Sequence, residues 1–335
     1  MKSNRKKLIL LVVLLICLAL MISVAVLLSS FLESDLENGE DTDSETLNIE
    51  ELLGAREIDG ETYYPKRGVR NYLIMGVDEF GDASSGARGQ SDFIMILSFD
   101  SYAKSYDMIT INRDTVVDVD YYDIFGNYGG VRREQIALSH AYGMLGEISN
   151  PKKCLNTQKS VSGLFGGLDF KGYISLTMDA VCIMVDHLGG VDVLIEDDLT
   201  GVDPRLIKGE TVLMDGELSL KFVRARGGLD DSSNIARMKR QEAFLERFFE
   251  KLGADGEDEA SMLRCYEAVE SKLVSNIGEE GYSEMVSMLS TYEKRSALSP
   301  DGEAMVGKQG YMEFYADEES IKKILTGVFY EKADK

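Results

Sequence analysis

Three charged positions sit where short apolar runs begin or end. Asp78 follows "NYLIMGV" (Asn71–Val77), Asp92 opens "DFIMILSFD" (Asp92–Asp100), and Arg113 with Asp114 follows "YDMITIN" (Tyr106–Asn112). Runs of this length and composition predict buried strands, the last two joined by the short "SYAKS" turn. If the first two strands are antiparallel, the end of one and the start of the next share an edge, and Asp78 and Asp92 converge there. Two carboxylates with open coordination positions suit Mg²⁺, or Mn²⁺ in its place. Such hard cations take oxygen ligands, keep several waters and accept a phosphate partner. Each aspartate taken alone reads equally as a turn or cap residue.

A second cluster is "FVRARGGLDDSSNIARMKRQ" (Phe222–Gln241), which gathers Arg224, Arg226, Arg237, Lys239 and Arg240 in a chain whose formal net charge is -22. If "VRAR" is extended, Arg224 and Arg226 point to one face, because side chains alternate along a strand. On the helix that should follow, Arg237, Arg240 and Gln241 lie within one turn. The loop "GGLDDSSN" turns the chain back, so both sets can face one cleft. Guanidinium forks match phosphate oxygens and are always charged. The competing reading is a solvated helix face with local pairing to Asp230 and Asp231. The clustering against so acidic a background favours a site for a di- or polyphosphate.

The elements that must hold these groups alternate along the chain. "REQIALSHAYGMLGE" (Arg133–Glu147) has helical spacing, as does "LNTQKSVSGLFG"; "YISLTM" reads as a strand, "DAVCIMVDHLGG" as a helix closed by glycine, and "VDVLIED" as a strand. A long helix runs from Ser232 to about Gly253. "DEASMLRCYEAVESKLVSNI" and "GYSEMVSMLSTYEKR" add helices, and "GYMEFYA" and "EESIKKILTGVFYE" close as strand and helix. "DVDYYD" and "EDDLTGVD" lack the glycine and glutamate spacing of a calcium loop and read as solvated loops. The pattern predicts an α/β fold, a mixed central sheet flanked by helices.

The N-terminal region sets the compartment. A basic tail (residues 1–7) precedes an uncharged run (residues 8–32) long enough to span a bilayer, and an acidic segment (residues 33–65) reads as an extended linker. The positive-inside rule places the tail in the cytoplasm and residues 66–335 outside as one domain. Acidity and external location both argue against nucleic acid as a partner. Of the four cysteines, Cys17 lies in the apolar run; Cys154, Cys182 and Cys265 remain, with no pairing that sequence can assign. With only His140 and His187 and no CxxC pair, a Cys/His zinc site is excluded as a working reading. No GxSxG elbow accompanies either histidine.

These residues resemble the LytR-CpsA-Psr family of bacterial cell-envelope proteins. The resemblance follows "LIMGVDEF", "GARGQSDFIMILSFD", "ITINRDTVV", "HAYG", "HLGGVDV", "KGETVLMDGELSLKFVRAR" and "NIARMKRQEAFL" in order, over roughly Tyr72 to Leu245. It implies a membrane-anchored phosphotransferase. Such enzymes move an anionic glycopolymer, of wall teichoic acid or capsular polysaccharide type, from an undecaprenyl-pyrophosphate carrier to peptidoglycan. It also implies that Asp78 and Asp92 hold Mg²⁺ and pyrophosphate; on chemical grounds one aspartate would serve as base for the acceptor hydroxyl, Asp92 being our choice. Arg113, Arg224, Arg226 and Gln241 match the pyrophosphate-binding groups, and Arg237 and Arg240 extend that patch. The family houses the polyprenyl tail in an apolar pocket between sheet and helices. Three positions depart from its pattern. Gln90 stands where Arg is common, leaving Arg88 two residues earlier as the nearest guanidinium. Ala137, Leu138 and Ser139 lack the basic residue usual before "AY", for which His140 or Arg133 could substitute. Asn234 replaces a common Asp. A lipid-pyrophosphate hydrolase, or a non-catalytic lipid-binding scaffold, would carry the same residues.

Overall fold

The computed structural model describes residues 54–77, 89–123, 125–142, 151–225, 234–255 and 259–333. Its centre is a sheet whose strands lie in the order β11 (Leu273–Ser275), β8 (Gly172–Thr177), β3 (Val69–Val77), β4 (Ser91–Asp100), β5 (Ser105–Ile111) and β12 (Glu293–Leu298). The apolar runs form β3 (Val69–Val77), β4 (Ser91–Asp100) and β5 (Ser105–Ile111), as their composition predicts. All three pair antiparallel, while β8 (Gly172–Thr177) joins β3, and β12 (Glu293–Leu298) joins β5, in parallel. The result is the mixed sheet expected.

Side-chain alternation divides this sheet into two faces. Ile74, Phe93, Met95, Leu97 and Met108 meet one helical layer. It contains α3 (Met178–His187), α4 (Gly216–Arg224), α5 (Asn234–Asp255), α6 (Glu259–Val269) and α7 (Gly278–Thr291). Leu73, Met75, Ile94, Ile96, Ile109 and Ile111 face the other way. They pack against the hairpin β6 (Val116–Tyr122) and β7 (Tyr128–Gln135), α1 (Leu138–Tyr142), α2 (Pro151–Leu164) and α8 (Glu318–Ile324). The smaller pairs are β9 (Val191–Leu194) with β10 (Thr211–Met214), and β13 (Gly302–Val306) with β14 (Met312–Ala316).

Several elements differ from the sequence reading, each for a tertiary reason. Residues 54–65 are not linker: β1 (Arg56–Ile58) and β2 (Glu61–Pro65) form a sheet with β15 (Tyr330–Lys332), so the domain starts upstream of residue 66. Arg56 reinforces this by lying over the Tyr330 ring and donating to the Phe165 carbonyl. Arg133 belongs to β7 rather than a helix, and "DVDYYD" is largely strand β6, where Val119 and Asp120 are buried and Asp120 pairs with Lys159. "VRAR" is not extended as far as Arg224, because α4 runs through Arg224 from an Asp215 cap that accepts from the Leu218 amide. After Val269 the chain forms a 3₁₀ turn and then β11 (Leu273–Ser275) instead of continuing a helix. "EKRSAL" is β12, held by Arg295 and Ser296 on the buried Asp107 of β5. The final helix breaks into a π-helical turn, Leu325–Phe329, before β15. Among the described residues no helix is long and apolar enough to cross a membrane, and residues 8–32 lie outside them. Cys154, Cys182 and Cys265 form no disulfide with one another.

The second core also buries His140 completely. Desolvation lowers its pKa from the ordinary 6.5 to about 4. An unfolded chain therefore takes up this proton first as pH falls, and the fold loses stability from about pH 6.5 down to about 4, with no further loss below. The full effect of this one group approaches about 3 kcal/mol. Urea unfolding of His140→Asn is expected to show a shallower acid slope than wild type between pH 7 and 4.5. Equal slopes would mean that the imidazole is not buried neutral.

Candidate active site

One edge of the central sheet collects the charged strand ends. Val77 of β3 pairs with Ser91 of β4 and with Thr177 of β8, and Ile94 of β4 pairs with Ile111 of β5. The ends of β3, β5 and β8 and the start of β4 therefore share that edge. A register shift between Gly76 and Val77 leaves Asp92 opposite no β3 residue. Beyond β5 the chain turns sharply. Asn112 Oδ1 accepts from the Asp114 amide at 2.9 Å, and its carbonyl accepts from the Thr115 amide at 2.9 Å and hydroxyl at 2.6 Å. An Asx turn of this kind places Arg113 at the tip of the strand.

Arg113 is held by its neighbours across the edge. Nη1 donates to Asp92 Oδ1, Nη2 donates to Gln90 Oε1, and Nε lies 3.6 Å from Asp114 Oδ1. The Arg113 and Asp92 side chains keep 16% and 15% exposure, so the pair is largely desolvated yet open to a small ligand. Charge-assisted bonds in such a setting are short and directional. Gln90, where the family resemblance led to an expectation of arginine, acts here as an acceptor for Arg113.

Helix α5 brings the second cationic group. Arg237 and Arg240 are only 5% and 6% exposed, which rules out the solvated-face reading for both; Lys239 is exposed. Asp92, Phe93, Thr110, Ile111, Asn112, Arg113, Arg237, Met238 and Gln241 line one small cleft. Of the residues singled out from sequence, Asp92, Arg113, Arg237 and Gln241 thus come together. Arg240 lies behind them: Nη2 donates to the Ala225 carbonyl at 2.8 Å, and Nη1 lies 3.6 Å from Asp197. Gln241 Nε2 reaches the Val223 carbonyl at 3.3 Å. These two bonds tie α5 to the end of α4. Arg224 is exposed in the last turn of α4 and does not line the cleft. Asp78, Arg88, Arg226 and the Asn234 side chain lie outside the described residues.

The expected substitutes for a basic residue before "AY" do not serve as such. His140 is buried and bonded to the Gly89 carbonyl, and Arg133 pairs with Asp118 on the β6–β7 hairpin. Among the described residues no group of three metal-ligating side chains occurs. Asp92 supplies one carboxylate at the sheet edge, and Val77, which immediately precedes Asp78 in the chain, pairs with Ser91. A cation that keeps most of its waters needs only one or two carboxylates. The donor set is compatible with Mg²⁺ on that ground.

Sequence reasoning missed Glu242 and the residues that line the expected apolar pocket. Glu242 contacts Thr110, a residue of the cleft wall; burial pushes its carboxyl up, opposed by the Thr110 hydrogen bond and the Lys239 charge. Its place depends on α5 and β5 lining the same cleft, which no local signal in the sequence reports. The apolar walls begin at the cleft itself. Phe93 and Gln241 also line a cavity with Gly76, Leu176, Met178, Val181, Val223, Phe244 and Leu245. Ile74, Leu176, Val181 and Leu245 are shared in turn with a deeper cavity that reaches Phe248, Tyr266 and Met285. Each has a cavity volume of about 50 Å³, and both are lined almost wholly by apolar side chains.

Known proteins show the same plan. The chain is 24% identical to a polyisoprenyl-teichoic acid–peptidoglycan teichoic acid transferase TagU of Bacillus licheniformis, over 75% of this chain and 74% of that protein. It is also 24% identical to the TagU of Oceanobacillus iheyensis, with 55% and 51% covered, so the match spans about half of that relative. Among solved structures, Bacillus subtilis TagV superposes with a TM-score of 0.60 at 20% identity, covering 78% of this chain and 96% of that one. TagT bound to LIIa-WTA does so with a TM-score of 0.60 at 18% identity, covering 78% and 90%. The LytR_cpsA_psr family model matches residues 29–328, and the chain belongs to that family.

Proposed function

We propose that the chain is a phosphotransferase that moves an anionic glycopolymer from a polyprenyl-pyrophosphate carrier, undecaprenyl in the expected case, to a peptidoglycan hydroxyl, outside the cytoplasmic membrane and tethered by residues 8–32. One observation carries this reading: a cationic cleft and an apolar cavity share the Phe93 and Gln241 wall. A ligand with a charged head and an apolar tail matches the chemistry of those two linings, whereas a free sugar nucleotide would leave the apolar part unused. The family membership and the similarity to teichoic acid–peptidoglycan transferases support the choice of donor and acceptor.

The chemistry follows from the residues. The acceptor hydroxyl attacks the sugar-linked phosphorus. The bond from that phosphorus to the bridging oxygen breaks, polyprenyl phosphate leaves with the electron pair, and a phosphodiester forms. Arg113 and Arg237 present guanidinium groups to the pyrophosphate oxygens, where charge grows as the bond breaks. Asp92 and Gln90 fix the Arg113 fork, so its reorientation costs little during reaction. Asp92 and Asp78 would hold Mg²⁺, which would supply further neutralisation of phosphate charge. The hydroxyl proton passes to a carboxylate at the cleft, Asp92 being the nearest that the lining contains. Arg240 is assigned to holding the α4–α5 junction.

Two measurements test this reading. Arg113→Ala is expected to lower Mg²⁺-dependent release of polyprenyl phosphate from a lipid-linked donor by about 10²–10³-fold. Polymer should become attached to added peptidoglycan in the wild type; release without attachment would indicate a hydrolase, and binding without release a scaffold. Leu245→Trp narrows the wall shared by both apolar cavities. It should raise KM about tenfold for a long-chain donor, roughly 1.4 kcal/mol, and leave a short-chain donor unaffected. Equal effects on both chain lengths would place the tail elsewhere.

A further inference from the structure

The segment between β7 and α1 touches both strands that carry the Arg113–Asp92 pair. The Ile136 amide donates to the Thr115 carbonyl at 2.7 Å, and the Ala137 amide donates to the Arg113 carbonyl at 3.1 Å. In return the Ala137 carbonyl accepts from the Ser91 amide at 3.1 Å. Residues 136 and 137 thus bridge the end of β5 and the start of β4. The segment is itself braced on α2: Ser139 Oγ bonds Thr157 at 3.0 Å, and Asn156 Nδ2 donates to the Ser139 carbonyl at 2.6 Å and the Asp120 carbonyl at 3.0 Å.

His140 completes this brace with a side chain. Its Nδ1 lies 2.8 Å from the carbonyl of Gly89, the residue before Gln90, and Gly89 has a φ of 64°. A carbonyl only accepts, so the proton sits on Nδ1 and Nε2 keeps its lone pair. Nε2 faces the Cys154 sulfur at 3.9 Å; burial pushes that thiol up to about 11, so it remains an S–H that can donate to Nε2. Lys153 is the charged group acting on the ring. Fully buried, the imidazole cannot touch substrate.

We propose that His140 is a positioning residue. Through its Nδ1–H bond to the Gly89 carbonyl it fixes the Gly89–Asp92 segment, and hence the Gln90 and Asp92 acceptors that aim the Arg113 guanidinium. The inference rests on the phosphotransfer reading for its kinetic part and on the geometry alone for its structural part. It assigns "HAYG" a backbone contact with the segment leading into the strand that carries Asp92.

The test uses three variants of the full-length protein. Asn at 140 places an amide N–H near the Nδ1 position; Gln places one near Nε2; Phe offers neither. His140→Asn should retain turnover within about threefold, while His140→Gln and His140→Phe should lose about tenfold or more in kcat at little changed donor KM, the scale of misplaced catalytic groups. In the same samples, hydrogen exchange of the Ser91 and Ala137 amides should quicken in the Gln and Phe variants and stay slow in the Asn variant. If Gln rescues as well as Asn, or all three folded variants exchange and turn over like wild type, the proposal is wrong. If no variant folds but Asn, the exchange comparison between Asn and wild type decides, and fast exchange in Asn overturns it. If wild type binds donor without turnover, the function reading fails while the exchange ranking still judges the positioning role.

Discussion

Arg113 reaches across the end of two antiparallel strands to Asp92, and this ion pair depends on the strands ending at the same height. Registers that pair Ile94 with Ile111 and Val77 with Ser91 supply that alignment. Sheet register is strongly specified where both faces are buried, because a one-residue slip would turn every core side chain outward. Here both faces of β3, β4 and β5 are covered, by helices on one side and by a hairpin with helices on the other. The packing of the whole domain therefore fixes the geometry of one guanidinium.

Burying arginines in an acidic protein carries a desolvation cost that only good partners offset. The molecule divides its buried arginines accordingly. Arg240 meets the Ala225 carbonyl and Asp197, and so contributes to the α4–α5 junction. Arg113 and Arg237 line the cleft instead. The same helix α5 presents Phe244, Leu245 and Phe248 one to two turns further on, where they wall the apolar cavities. A single helix thus joins the charged and greasy halves of the site. Its 3.6-residue period keeps Gln241 and Leu245 on one side.

The strands that carry Asp92 and Arg113 were legible because their apolar runs are local signals. The helix arginines were legible as a cluster, although their division into cleft and junction roles was not, since it depends on how α4 ends. Reading "VRAR" as extended overlooked "DGELSLKFVR", where Asp215 caps a helix that continues to Arg224. Strands β6 and β12 escaped notice because "VVDVDYY" and "EKRSAL" carry charges whose partners, Lys159 and Asp107, are distant in sequence. The pairing of β1 and β2 with β15 joins the two ends of the domain and leaves no local trace. Asp78, Arg88 and Arg226 fall outside the described residues, so their part in the site rests on the family resemblance and on chain connectivity.

The most direct test of the central claim is a crystal structure of the protein with a polyprenyl pyrophosphate bound. The two phosphates are expected against Arg113 and Arg237, with the chain passing Phe93 and Gln241 into the cavity walled by Leu176 and Leu245. A head group bound away from Arg113, or a tail lying on the outer surface, would contradict it.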